Sequence, residues 1–468
     1  MARRKLVDRL PASLLVMRHR NFRLVAIGNF VSALGNWSSM VGIGWAARGL
    51  TDSAQAITLA FAAQFIPNLL FASVGGMWAD RMDRRRLTII GNLAMAVPSL
   101  AIGLLITTDH LTLTWLVILA FLGGAASAVT MPASQALVPH LVPEDEVQMA
   151  VSLTSALQNG SRLVGAAMAG VIISVFGTAM AFYWNAISFL AVVWAWLLVK
   201  MVVVPVVHAV ESMASRLAGG IRYARKDQTV RYLLFLNVAM AILILQSSLL
   251  PILVKDVLHA QVSAYAYLQM GTGIGAVTGA LLAGQWTTDR RRRQAIAVGM
   301  LVNATAVTGI AFSRWVPVSV GLQVLFGLGF FTVSTVTQSM IMMSSEDAYL
   351  GRVMGLYTMA LAGMLPFNAL LAGFLADHFG TVKAIAGAGV LLFAYAFWFI
   401  SFRLPKVGVD HLHEVALTAP PAPELPAEVS AELSAEAATE TVAASEVPLA
   451  TNALLAASAD AQLYGRET

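Results

Sequence analysis

The chain has 468 residues, 58% of them hydrophobic and only 12% charged, and it contains no cysteine. A soluble domain averages about 25% charged residues, so the composition excludes a fully water-facing surface. The lack of cysteine excludes a disulfide framework, a thiol nucleophile and an iron–sulfur site. The 30 Lys and Arg against 25 Asp and Glu conceal an asymmetry: residues 403–468 hold 3 basic and 10 acidic side chains, and residues 1–402 hold 27 and 15.

In chain order, a basic segment over 1–22 comes first. Twelve stretches free or nearly free of Asp, Glu, Lys and Arg follow: 24–47, 53–79, 87–108, 110–143, 147–175, 179–200, 232–254, 257–288, 294–313, 315–345, 353–376 and 384–402. A transmembrane helix needs about 20 apolar residues. Only helices and closed barrels span lipid, and these runs are too long for barrel strands. The expectation is therefore an all-α membrane protein of twelve transmembrane helices. The first apolar run is too long for a secretory signal and no small-residue cleavage site follows it, so it reads as span 1.

Lys and Arg accumulate on the cytoplasmic side of membrane proteins. With the N-terminus inside, 25 of them fall on one side and only Arg48, Lys255, Arg314 and Lys383 on the other. Both termini are thus expected in the cytoplasm. Residues 201–230 form the longest connection and carry a basic amphipathic pattern, as in Ile221-Arg222-Tyr223, expected to lie along the membrane surface. This connection separates a six-helix bundle over 23–200 from a second over 231–403. The tail 404–468 is rich in Ala, Glu, Pro and Ser, cannot bury enough apolar surface to fold alone, and is expected to be a disordered cytoplasmic extension.

The halves repeat one another. Ala169-Gly170 and Phe176-Gly177-Thr178 recur 203 positions later as Ala372-Gly373 and Phe379-Gly380-Thr381. Gln135 with Glu144-Asp145 recurs as Gln338 with Glu346-Asp347, and the acidic–basic run Asp80 to Arg86 recurs more loosely as Asp289 to Arg293. Such internal symmetry marks a secondary transporter whose site lies between the repeats near the midplane. The loop Gly76 to Arg86 resembles the signature loop between spans 2 and 3 of the major facilitator superfamily, with Asp83 where many members have Gly. Met131-Pro132-Ala133-Ser134-Gln135, Asn159-Gly160-Ser161-Arg162-Leu163-Val164-Gly165 and Gly220-Ile221-Arg222-Tyr223 resemble its bacterial branch of enterobactin exporters and macrolide-efflux proteins. In that branch's signature Gly-Pro is usual where this chain has Gly165-Ala166. The resemblance spans roughly 20–402 and implies a proton-coupled exporter working by alternating access in the bacterial inner membrane.

Arg162, midway along span 5, is the one Asp, Glu, Lys or Arg deep within a span. A charge at that depth costs several kcal/mol or more and must face the bundle interior or a water-filled cavity. It either serves substrate or coupling, or locks helices together through backbone carbonyls. No carboxylate occupies a central segment; Asp52, Asp109, Asp256 and Asp377 all fall near the outer ends. An anionic or neutral substrate follows, whereas the proton carrier stays open, with Asp52 the weak candidate. Gln158 lies one turn before Arg162, and Asn36, Trp37, Gln64, Asn68, Gln246 and Asn368 lie at similar depth; each is either a pathway residue or an interhelical hydrogen-bonding group. Asp80 at the end of span 2 is expected to cap the N-terminus of span 11 as a conformational latch, with Arg352 its partner. Arg81, Arg84, Arg85 and Asp289 belong to the same latch, or simply set topology. The glycines around Gly271, Gly273, Gly275 and Gly279 read as helix-packing positions, since no strand precedes them.

The expectation is an exporter of a siderophore-like or antibiotic-like molecule, driven by the proton gradient since no phosphate-binding GxxxxGK[ST] loop is present. A small-molecule substrate, protons and membrane lipid are the expected partners, in a monomer, without nucleic acid, metal or cofactor. Alternatives are a proton-linked importer of a small metabolite and a non-transporting sensor or scaffold signalling through the acidic tail. An enzyme is not expected, because no nucleophile–base pair is visible.

Overall fold

The computed structural model describes residues 15–143, 146–199, 213–286 and 288–408, with side chains at all of these except 72–77, 79–81, 152, 159, 213–217 and 347–348. The expected disordered tail and most of the basic N-terminal segment lie outside the described residues.

The first half comprises α1 (Arg20–Leu50), α2 (Ala54–Arg81), α3 (Arg84–Thr107), α4 (Leu113–Leu137), α5 (Val147–Phe176) and α6 (Thr178–Leu198). Short polar residues start several of these helices by accepting hydrogen bonds from otherwise orphaned N–H groups. Ser53 accepts from Ala56 N at 3.2 Å, and Thr112 accepts from Trp115 N at 3.3 Å. Asp83 accepts from Arg85 N at 2.8 Å and Arg86 N at 3.1 Å, so the aspartate at this position, where glycine is usual in the superfamily, makes the α3 cap. The α5–α6 turn passes through Gly177 at φ +84°, and its repeat counterpart Gly380 sits at φ +88°. Side chains are strained in that region, which gives the repeated Phe-Gly-Thr its physical basis.

The amphipathic linker forms α7 (Met213–Lys226). Tyr223 anchors it to the second half by donating to Ser344 O at 3.0 Å and accepting from Glu346 N at 3.1 Å. The second half contains α8 (Gln228–Leu243), α9 (Gln246–Ile252), α10 (Val262–Ala283), α11 (Asp289–Phe312), α12 (Val316–Ser344), α13 (Asp347–Ala362), α14 (Leu365–Phe379) and α15 (Thr381–Phe402). Spans 7 and 11 are thus each broken, into α8–α9 and α13–α14, which the charge pattern did not reveal. Pro366, lacking an N–H for the Ala362 carbonyl, enforces the second break.

Among the described residues, eleven stretches of helix are long and apolar enough to cross a membrane. The remaining element of the series, α10, is 22 residues long and carries four glycines, at 271, 273, 275 and 279. It is flanked by protein on two sides. A β-carbon at Gly273 would fall 2.8 Å from Leu163 Cα in α5, and one at Gly275 would collide with the Val324 carbonyl of α12. Small residues at these positions let α10 pack closely against both neighbours. The helices present a belt of outward apolar side chains, among them Trp194, Leu281 and Phe397, which suits lipid contact. The halves meet along two seams, α2 against α14 and α5 against α10.

Candidate transport cavity and gates

A cavity of about 750 Å³ lies within the bundle. Nearly all of its wall comes from the first half; Gln269, Thr272 and Leu365 are the second half's contribution. Six of the eight residues expected on the pathway line it: Arg162, Gln158, Asn36, Trp37, Gln64 and Asn68. Among the described residues in its wall, Arg162 is the only ionisable side chain. Leu365, the repeat counterpart of Arg162, lines the same cavity, so two symmetry-related positions present a cation and an aliphatic surface to one space.

The Arg162 guanidinium is stacked between two rings, 4.7 Å from the centroid of Trp37 on α1 and 4.5 Å from that of Phe331 on α12. Desolvated cation–π contacts contribute on the order of 2 kcal/mol each, which offsets part of the burial cost. They do not neutralise the charge, since arginine cannot shed its proton. The Nε–H is buried with no hydrogen-bond partner, as is the Gln64 side-chain N–H. The cavity wall therefore contains a positive charge without a counter-charge and a buried amide donor without a partner. Gly165 makes the stack possible: a β-carbon there would sit 2.7 Å from Trp37 Cβ and 3.1 Å from the Leu34 carbonyl. Phe331, which bridges to the second half, was not foreseen because an aromatic in an uncharged span carries no distinguishing sequence signal.

The remaining two expected residues lie elsewhere. Asn368 is fully buried; it donates to the Ile242 carbonyl at 2.9 Å and accepts from Ser248 Oγ at 2.9 Å. It thereby satisfies backbone exposed where span 7 breaks, which is a structural duty. Gln246, at the same break, is buried with both amide atoms unpaired and is not part of the cavity wall.

The seams are tied at the face opposite the one bearing Val16 and Arg403. The Asp377 carboxylate, at the end of α14, accepts from Ala54 N at 2.6 Å, Gln55 N at 3.0 Å and Ser53 Oγ at 2.7 Å. An anion at a helix N-terminus is favoured both by the free N–H groups and by the helix dipole. Gly373 permits the approach, since a β-carbon there would overlap Thr58 Oγ1. Beside this cap, Arg48 pairs with Asp256 of the second half at 2.6 Å and with Asp52 of its own half. In sequence Asp377 is distinguished only by its position near the end of a span.

On the face bearing Val16 and Arg403, the expected latch residues are distributed differently. The side chains of Asp80 and Arg81 fall outside the described residues. Arg85 donates to the Trp196 and Leu197 carbonyls at 2.9 and 3.3 Å, which binds it to the C-terminus of α6 within its own half. Arg84 has partners of its own. Arg352 lies against Gly219 and Gly220 of α7, with its guanidinium 5.6 Å from the Tyr349 ring. Asp289 is buried at the start of α11, 3.4 Å from Arg292. A further cluster escaped the sequence reading: Glu146, buried before α5, meets Arg18 and lies 2.8 Å from His19 Nε2.

Residues 12–434 match the family described as transmembrane secretion effector. The chain is 25% identical to the staphyloferrin A transporter of Staphylococcus aureus, over 80% of this chain and 95% of that relative. It is 23% identical to macrolide efflux protein A of Streptococcus pyogenes, over 74% and 87%. The multidrug efflux pump Tap of Mycolicibacterium fortuitum is also 23% identical, over 76% and 89%. In fold it is similar to the nucleoside transporter NupG, with a TM-score of 0.66 at 12% identity over 81% of this chain and 99% of that one. A bacterial homologue of the lysosomal transporter Spinster aligns with a TM-score of 0.63 at 12% identity, over 83% and 98%. With this match spanning most of its length and a twelve-element helical bundle around a central cavity, the chain belongs to the transmembrane secretion effector family and is a multi-pass membrane transporter of the major facilitator superfamily.

Proposed function

We propose that the protein exports a small organic anion from the cytoplasm by proton-driven alternating access. The observation that carries this reading is the lone, uncompensated Arg162 in the wall of a cavity of about 750 Å³ lined otherwise by amides, hydroxyls and aromatic or apolar side chains. A ligand carboxylate or similar anion would supply the missing counter-charge. Hydrogen bonds to charged groups contribute about 1.5–3 kcal/mol, enough for useful affinity without locking the substrate in place. Relatives named for a staphyloferrin, for macrolides and for multidrug efflux support outward movement of a bulky organic molecule.

The mechanism follows from where the halves touch. Arg162 stacks on Phe331 across the interface, so an anion that draws the guanidinium toward itself weakens a contact between the halves. The Asp377 cap and the Arg48–Asp256 pair hold the outer face shut in this arrangement. They must separate for release, and Asp80 is the corresponding group at the cytoplasmic end of the same helix pair. The concentration of Lys and Arg on one side supports cytoplasmic termini. The proton gradient supplies energy, and a monomer without a bound cofactor suffices.

Intracellular accumulation of a catecholate siderophore and of a macrolide, measured in an exporter-deficient bacterium with and without a proton uncoupler, tests the proposal. The wild type lowers siderophore accumulation in an uncoupler-sensitive manner, and Arg162→Ala abolishes that effect. Export of the siderophore undiminished by Arg162→Ala refutes the role of charge. Raised accumulation relative to empty vector refutes the direction.

A further inference from the structure

We infer that the cleft between span 7 and span 12 is a binding site for an anionic phospholipid, with the phosphate at its mouth and an acyl chain along its floor. The cleft, of about 660 Å³, is bounded by Arg231, Tyr232 and Phe235 of α8 and by Tyr395 and Trp398 of α15, with Arg403 just beyond α15. It is separate from the transport cavity and shares no residue with it.

The mouth concentrates positive charge around one ring. The Arg403 guanidinium lies 5.0 Å from the Tyr232 centroid and 5.1 Å from that of Trp398, and it donates to Tyr232 Oη at 3.0 Å. Arg231 lies 5.3 Å from the same Tyr232 ring and donates to the Arg225 carbonyl at 2.9 Å. Lys406 adds to the field at the Tyr232 hydroxyl. Among the described residues no acidic side chain lines the cleft. The nearest acid in sequence, Asp227, is engaged in capping α8 through Val230 N at 2.7 Å. Two guanidiniums around one ring repel each other in a poorly screened setting, and a phosphate between them converts that repulsion into two attractions.

Below the mouth the chemistry changes to match the rest of a lipid. Phe235, Val238, Ala239 and Ile242 follow one face of α8 at helical spacing. From Arg231 to Ile242 the cleft descends about 16 Å at 1.5 Å per residue. Phe235 and Trp398 remain exposed on the outer surface of the bundle, so the cleft opens sideways toward the membrane. Because Arg231 and Arg403 flank the ends of their spans, the charged mouth falls at headgroup depth, where basic pockets between helices recognise acidic headgroups. A free phosphate would satisfy the arginines but leave the apolar trough empty, whereas a lipid fills both.

The full-length protein, purified in maltoside detergent and stripped of native lipid, is titrated with phosphatidylglycerol, with phosphatidylcholine and with inorganic phosphate, and bound lipid is counted by native mass spectrometry. Phosphatidylglycerol is expected to be retained in preference to phosphatidylcholine, and inorganic phosphate to compete only weakly. Each arginine near an anionic headgroup is worth about fivefold in affinity, so Arg231→Gln combined with Arg403→Gln lowers retention more than tenfold. Arg314→Gln, on the opposite face, leaves it unchanged. Ala239→Trp keeps both arginines but fills the trough, and it too displaces the lipid. Equal retention of both lipids, retention unaffected by the paired arginine substitutions, or full displacement by inorganic phosphate each overturns the assignment. Should the paired arginine variant fail to fold, lipid retention undiminished in Ala239→Trp overturns it independently. None of these outcomes depends on the direction of transport.

Discussion

The two halves of the bundle contribute very unequally to the polar wall of the cavity. In the first half Asn36, Gln64, Asn68, Gln158 and Arg162 all face the cavity. In the second half such groups are mostly spent on other protein atoms. Asn237 donates to the Leu233 carbonyl at 2.8 Å and to Thr337 Oγ1 at 3.1 Å, and Asn303 donates to the Phe326 carbonyl at 3.3 Å. Asn368 bridges the break in span 7. The repeat has therefore diverged into a half that supplies most of the cavity wall and a half that supplies little of it. Polar groups in a membrane are costly, so most of them end in the cavity wall or in an internal hydrogen bond; Gln246, buried with both amide atoms unpaired, does neither.

Substitutions can break or sharpen this contrast. The largest effect is expected for Arg162→Ala, which removes the charge and both ring contacts: export of an anionic substrate should fall at least tenfold, as a lost charge-assisted hydrogen bond implies, with membrane expression retained on immunoblots. Arg162→Lys keeps the charge without the planar stack and should recover only part of the flux. A response confined to thermal stability would make Arg162 a brace like those of the second half.

Asn368→Ala comes next and belongs to the other class. It leaves the Ile242 carbonyl and Ser248 hydroxyl without partners, a loss of about 1–3 kcal/mol. Fluorescence-detected melting of the detergent-solubilised protein should shift downward while substrate affinity holds. An affinity loss without a melting shift would move Asn368 into the transport site.

A smaller effect is expected at the Asp377 tie. Asp377→Asn keeps the shape but loses the charge at the α2 N-terminus, about 0.5–2 kcal/mol. Because the chain has no cysteine, a single Ile43→Cys reporter in the cavity wall can be labelled by an impermeant thiol reagent. Labelling from outside should accelerate severalfold in the Asp377→Asn background, and an unchanged rate would show that Arg48–Asp256 alone holds that face. The smallest effect is expected for Asn68→Ala: a neutral amide at the cavity wall should change substrate affinity a few-fold at most and leave melting unchanged.

The pattern of uncharged runs was enough to mark an all-helical membrane bundle, in which eleven stretches among the described residues are long and apolar enough to span, because a missing charge over about 20 residues suits a helix in lipid. The depth of Arg162 was equally legible, since burying an arginine in lipid demands a cavity or a partner. Phe-Gly-Thr at 177 and 380 marked matching turns, because only glycine accepts a φ near +85° without strain. The facing of neutral polar residues was not legible in the same way. Asn68 and Asn368 look alike in sequence, and only packing sends one to the cavity and the other to a broken backbone. The Phe331 stack joins residues 169 positions apart and the Asp377 cap joins residues 322 to 324 apart. Sequence alone determined which segments lie in the membrane, because transfer into lipid acts on each segment independently. Tertiary structure alone decided which polar groups meet one another, because those energies exist only once distant helices share a surface.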